Sequence, residues 1–402
     1  MTGLFAYEPS ANIRKYKWYF VLTGLTFNLP IWVAFYLRII TLEQTAFINA
    51  IANLIAVSLE IPTGAIADLI GRKTIVTLGQ VLRALTFLAM PFAPSFVWLF
   101  IINSLMAVGE AMSSGADSAL LYDTLKEEGR ENEFSLIYTK FLTYYRICLI
   151  SASLIGGLLY SLNYSIPYLL RAVAFMASAY FMSQIVEIGR IKSTVNLASY
   201  YRKTIDGLHE ITKSIFVKKL SLYYIIVGGI TWACLTYFNQ PFAYDFGWTT
   251  TQMSYITAGA YLISSLVVYF LTSHKYLLSR ERVYLGFPIL MVIAFIPGLF
   301  VDKWVGLALM TLVQISGSAR FSLLDNYINM EFDSRHRATA LSALNMLVSL
   351  GMALLLFVGG KVQGFADTRM VYTLLGILSA VVVLPLAVSL VIDHRQHKQL
   401  IS

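Results

Sequence analysis

Asn103, Glu110 and Asp117 stand seven residues apart within one long apolar run. Seven residues are nearly two helical turns, so on a helix the three share one stripe. An acid at membrane depth loses its hydration, and a partner or a water-filled cavity must offset that loss. Such a carboxyl is suited to loading and releasing a proton, or to balancing the charge of a cationic solute. Glu110 is the leading candidate for either task, with Asp117 and Glu60 as relay groups nearer one end of their runs. Four arginines, Arg83, Arg146, Arg171 and Arg320, also fall inside apolar runs. They leave open an alternative in which the acids pair permanently with bases and only fix packing. Arg146 and Arg320 are further candidates for solute or coupling contact. Asn28, Gln314 and Trp232 are candidate substrate contacts, although plain packing and interfacial belts explain most aromatic residues of this kind.

The elements that must position these groups are long and apolar. The chain has 402 residues, 57% of them hydrophobic and 13% charged, against about 25% charged in a soluble chain. Apolar runs lie near 17–39, 44–67, 74–92, 95–122, 137–161 and 165–187, and again near 219–243, 250–272, 283–301, 304–328, 337–360 and 369–392. Each is long enough to cross a bilayer. The pattern predicts an all-α membrane protein of twelve transmembrane helices in two pseudo-symmetric six-helix bundles. The N-terminal bundle covers 1–187, a cytoplasmic linker 188–218 and the C-terminal bundle 219–402. Within the linker, Tyr200 to Leu220 places Ile205, Leu208, Ile211 and Ile215 on one face, which predicts an amphipathic helix along the membrane surface. A solvated helical linker is the alternative. A weak internal repeat supports two halves: Ser114-Gly115 and Ser316-Gly317 precede charged turns, and both following spans carry paired glycines, Gly156-Gly157 and Gly359-Gly360.

Charge distribution sets orientation. Of the 30 Lys and Arg residues, 22 fall in segments on the N-terminal side of the membrane, while Arg38, Lys303, Lys361 and Arg369 are the only four in the opposite loops. Cytoplasmic loops hold the bases, so both termini are expected in the cytoplasm of a protein of the inner or plasma membrane. The same scatter argues against nucleic acid as the partner of a chain of net charge +8. Cys148 and Cys234 sit in apolar runs and read as small buried hydrophobes. No phosphate-binding Gly-x4-Gly-Lys-Ser/Thr loop is present, the five histidines lie outside the spans, and no cleavable leader is visible. No metal, cofactor or catalytic cluster is expected, and the chain is not read as an enzyme. The expected partners are a small-molecule substrate, protons and the bilayer, with the protein a monomer.

Between the second and third runs lies Gly64-Ala-Ile-Ala-Asp68-Leu-Ile-Gly71-Arg72-Lys73. Gly-x3-Asp-x2-Gly-Arg-Lys resembles the signature loop between the second and third helices of the major facilitator superfamily, whose members are secondary transporters. The resemblance implies alternating access by two bundles, with Asp68 near the start of span 11, where its charge suits a helix N-terminus. It implies that Arg72 reaches an acid at the cytoplasmic end of span 4, where Asp123 stands. It also implies that Gly64 and Gly71 permit close helix approach and a tight turn. Arg83 would be structural, because third helices of this fold are often peripheral. The runs Leu59 to Gly64, Ser114 to Leu125 and Arg337 to Ser342 look like a prokaryotic branch of carriers resembling drug and multidrug efflux proteins. That implies proton-coupled export of small amphipathic molecules by antiport, with uptake of a nutrient or organic ion as the alternative; an integral-membrane enzyme or receptor ranks below both. Two features depart from the antiporter pattern: Leu105 replaces an Arg four residues before Gly109, and Ala152-Ser153 replaces Gly-Pro ahead of Gly156-Gly157.

Overall fold

A computed structural model of the chain describes residues 10–187, 205–274, 279–334 and 336–399. Every regular element among them is helical, and eleven helical stretches are long and apolar enough to cross a membrane. The chain divides into two compact units, one of Met1–Trp32 with Ile55–Leu197 and the other of Val33–Leu54 with Ala198–Ser402.

The first apolar run does not form one helix. It folds as α1 (Ala11–Thr23) and α2 (Trp32–Tyr36), joined by turns over Gly24–Ile31. Pro30 lacks an N–H and disfavours helix at Leu29. Local bonds replace the helical ladder: the Thr26 N–H donates to Gly24 O at 2.8 Å and the Ile31 N–H to Asn28 O at 3.1 Å. Backbone packing also holds this turn, since a Cβ on Gly24 would lie 2.6 Å from Tyr145 O.

In the first unit, α3 (Leu42–Ile70) contributes its second half, followed by α4 (Arg72–Ala89), α5 (Phe96–Ser113), α6 (Ala116–Glu127), α7 (Phe134–Leu162) and α8 (Ile166–Ser183). The expected single stripe in span 4 is interrupted. Ser114 turns the chain and Gly115 sits at φ +71°, a conformation glycine adopts freely, so Asn103 and Glu110 lie on α5 while Asp117 opens α6. Tyr16, Phe20, Leu121, Phe141 and Met182 pack a common core. Asn12 ties the ends of α1 and α8 together, donating to Val186 O at 3.1 Å and accepting from the Val186 N–H at 3.0 Å.

In the second unit the expected amphipathic helix breaks. Residues 200–204 lie outside the described residues; 205–210 form a short helix, α9, and Ser214 caps a new one, α10 (Ile215–Ala233). Ile211 is buried while Ile205 and Ile215 are exposed, so the three share no face. A π-helical turn (Cys234–Phe238) leads into α11 (Asn239–Asp245), then α12 (Thr250–Ser273), α13 (Arg280–Phe295), α14 (Lys303–Glu331) and α15 (Arg337–Gln363). The chain closes with α16 (Thr368–Leu378), a π-helical turn (Ser379–Val383) and α17 (Leu384–Gln399). Residues 33–54 belong here: the Asn53 amide donates to Ser349 O at 2.7 Å and Tyr237 Oη to Leu42 O at 2.8 Å.

Candidate functional site

A cavity of about 310 Å³ lies inside the first unit, walled by α1, α4, α5, α6, α7 and α8. Its lining includes both Glu110 and Asp117, so the break at Gly115 does not separate the two acids. The Asp117 carboxylate is held from two sides, accepting from Tyr19 Oη at 3.2 Å and from the Ser118 N–H at 2.6 Å. Gln80, fully buried on α4, donates to Tyr19 Oη at 3.3 Å and to Ser113 Oγ at 3.1 Å. Glu110 lines the same space; its side chain makes no hydrogen bond or close ion pair among the described residues, although its charge acts on the Arg171 guanidinium. Asn103 takes no part: it is buried and donates to Leu99 O one turn back.

Two cations share the same lining. Arg83 and Arg171 both line the cavity, and both stack on Phe175, with Cζ atoms 4.3 and 4.1 Å from the ring centroid. Arg171 is also anchored by its Nη1, which donates to Thr23 O at 2.7 Å at the end of α1. Sequence reasoning passed over Arg171 and set Arg83 aside. The signal present was two arginines in apolar runs; what was hidden is that α4 and α8 face each other across Phe87 and Phe175, whose centroids are 5.5 Å apart. Arg146 is exposed on α7, and Glu60 is exposed on α3 outside the cavity lining.

A second buried charge occupies the second unit. Arg320 has 0% exposure and lies over Tyr224 at 5.1 Å and Trp232 at 6.0 Å. Two sequence candidates, Arg320 and Trp232, are thus neighbours. Tyr224 Oη donates to Asp325 Oδ1 at 2.9 Å, adding an acid that sequence reasoning had not singled out. Gln314 is buried nearby on α14, while Asn28 belongs to the turn after α1 in the first unit.

The charged loop forms a third constellation. Gly71 sits at φ +101° and leads into α4. Arg72 Nη1 donates to Asp123 Oδ2 at 2.6 Å and its Nη2 lies 3.6 Å from Asp68 Oδ1. Its backbone N–H donates to Glu187 Oε1 at 2.7 Å, from the end of α8, so an acid absent from the motif completes the cluster. Lys73 follows at half-buried exposure. A Cβ on Gly64 would meet nothing within 4 Å among the described residues. No group of three metal-ligating side chains occurs among the described residues.

Residues 220–402 match the family model described as Major Facilitator Superfamily. An uncharacterised MFS-type transporter of Bacillus subtilis, YxaM, is 25% identical over 59% of this chain and 60% of its own length. Another from Methanocaldococcus jannaschii is 27% identical over 34% of each chain. The chain thus spans 60% of the first curated relative's length and 34% of the second's. Among solved structures, the nucleoside transporter NupG superposes with a TM-score of 0.75 at 15% identity, covering 95% of this chain and 98% of that one. An auto-inhibited POT family peptide transporter gives 0.72 at 11%, covering 96% of both. At such identities the likeness speaks for the fold alone. The family match and the relatives are transporters, not enzymes; this chain is similar to the major facilitator superfamily, and its apolar helices fit a multi-pass membrane protein.

Proposed function

We propose that the chain is a proton-coupled carrier of a small solute and that the cavity of the first unit is where solute and proton meet. The observation that carries this reading is the pairing of one unrestrained carboxylate, Glu110, with Arg83 and Arg171 in a single cavity. A carboxylate without a permanent partner is free to exchange a proton as its surroundings change. Asp117, held by Tyr19 and Ser118, is a poorer carrier and positions the wall instead. The Arg72–Asp68–Asp123 cluster biases the gate on the cytoplasmic side of the plasma membrane, where both termini lie, and the protein acts as a monomer of two bundles working by alternating access. Export of amphipathic compounds in exchange for protons is the direction that the resemblance to efflux carriers brings. Uptake of an organic ion together with protons is a second reading, favoured by the two guanidinium groups in the cavity wall.

Proteoliposomes containing a pH-sensitive dye test the coupling. Addition of a transported solute to wild type moves protons across the membrane, inward with solute for uptake or opposite to it for exchange. In Glu110→Gln the proton signal is lost while solute exchange down its own gradient persists. Undiminished proton movement in the variant would remove Glu110 from the coupling step.

A further inference from the structure

We propose that the cavity receives the carboxylate of a small organic anion between Arg171 and Arg83 and that a proton is taken up on Glu110 as the anion enters. This assignment rests on the reading of the cavity as the transport site. Two guanidinium groups are pinned on one aromatic ring, Phe175, which is itself fully buried. The ring's quadrupole attracts each cation, but the cations repel each other in a space of low dielectric. Neither forms an ion pair with a carboxylate among the described residues, and the Nε of each is buried without a hydrogen-bond partner. Buried donors left unanswered are destabilising by about 1–3 kcal/mol each. An anion between the forks answers both, and the planar guanidinium matches a carboxylate in bidentate geometry.

The acids in the same cavity decide how that anion couples to protons. The groups facing Glu110 are Arg83 from α4, Asp117 from α6, Tyr138 and Tyr145 from α7, Arg171 from α8 and Tyr19 from α1. Asp117 is already satisfied by Tyr19 and Ser118, which leaves Glu110 as the acid an incoming carboxylate meets. Two like charges in a cavity that holds roughly ten waters' worth of space weaken each other's binding. A proton on Glu110 removes that repulsion. By reciprocity, whatever factor the proton adds to anion affinity, the anion adds to proton affinity. Anion and proton therefore bind together and move in the same direction. The tyrosine faces suit an acid with an apolar body, and the space is ample for a small one.

Purified wild-type protein in lipid nanodiscs, tested with the near-isosteric probes benzoate, phenyl phosphate, benzamide and benzylammonium, decides the assignment without relying on a variant. Benzoate is expected to bind and benzylammonium is not. Phenyl phosphate binding in preference to benzoate would move the ligand class from carboxylates to phosphate esters. Benzoate affinity should rise as the medium is acidified, and Glu110→Gln should abolish that pH dependence and hold the tight-binding value throughout. Arg171→Gln, and separately Arg83→Gln, should weaken benzoate by about tenfold or more, with Arg171→Lys recovering part of it. Binding of benzylammonium but not benzoate overturns the anion site; if that binding also moves protons through Glu110, the carrier reading survives. Arginine-dependent benzoate binding with the same pH dependence in Glu110→Gln preserves the anion site and overturns its coupling to that residue. Binding of no probe by the folded wild-type protein overturns the anion site.

Discussion

At the residue scale, Gly71 is the position where the loop tolerates least. Its φ of +101° belongs to glycine, and any side chain there costs about 1–3 kcal/mol in backbone strain. A Cβ would in addition lie 2.7 Å from Glu187 Oε2. Gly71→Ala is therefore expected to lower the melting temperature of the purified protein. Adding Glu187→Ala should fail to restore it, because the clash is relieved but the strain is not, and the Arg72 N–H loses its acceptor. Full rescue by the second substitution would show that crowding, not φ, is what excludes alanine. By contrast, the Arg72–Asp123 pair has partly exposed side chains, 31% and 48%, and contributes about 0–1 kcal/mol. Asp123→Asn should leave the melting temperature nearly unchanged while altering transport rates. That pair was legible in the sequence, because motif spacing and an acid at the next helix end suffice to pair them. Glu187 was not, since 115 residues separate it from the N–H it accepts from and no local pattern marks it.

At the scale of elements, the short helix α9 docks by one acid and one glycine. Glu210 accepts from the Asp333 N–H at 2.9 Å and from Lys213 Nζ at 2.6 Å, and a Cβ on Gly207 would collide with the Thr339 backbone. Burial pushes the Glu210 carboxyl up, but the Asp333 N–H and the Lys213 ammonium outweigh it and hold the group below the usual carboxylate range. A carboxyl with a lower pKa folded than unfolded stabilises fully above its unfolded value, about 4.3, and loses that contribution as pH falls through the folded value. The melting temperature of wild type should therefore exceed that of Glu210→Gln at neutral pH, by an amount corresponding to about 1 kcal/mol. The gap should close on acidification below the ordinary carboxylate range. A gap independent of pH would place the effect in packing. Amphipathic spacing from Tyr200 to Leu220 suggested one continuous helix, but spacing does not register that Ser214 caps a fresh start, accepting from the Val217 N–H at 3.2 Å. The break between α5 and α6 was hidden in the same way: Gly115 reads as a small residue in an apolar run until its positive φ is known. Glu110 and Asp117 still reach one cavity because the turn redirects the chain without moving it away from α1.

At the scale of the whole molecule, the number of crossings is the open quantity, and the first apolar run decides it. Eleven helical stretches are of spanning length among the described residues, one of them turned at Ser114–Gly115, while α1 and the short α2 are separated by the turn at Gly24–Ile31. Base counting implies that this run crosses, since it puts Lys15 and Arg38 on opposite sides. Hydropathy does not reveal the turn, because its residues are as apolar as their neighbours. Non-helical backbone is tolerated at membrane depth only where protein buries it. That condition is met here by the local hydrogen bonds of the turn and by Gly24 and Gly156, which bring α7 against its backbone. Parity makes the question measurable: twelve crossings put both ends of the chain on one side, and eleven put them on opposite sides. In a background with Cys148 and Cys234 replaced by alanine, single cysteines at Lys15, Arg38, Lys303 and Arg395 can be probed in intact cells with a thiol reagent that does not enter. Labelling at Arg38 and Lys303, with Lys15 and Arg395 reached only after permeabilisation, is the expected result and requires the first run to cross as a broken helix. Labelling of Lys15 together with Arg38 would mean that the run lies on the surface, and the anchoring of Arg171 to Thr23 would then need a different position in the membrane.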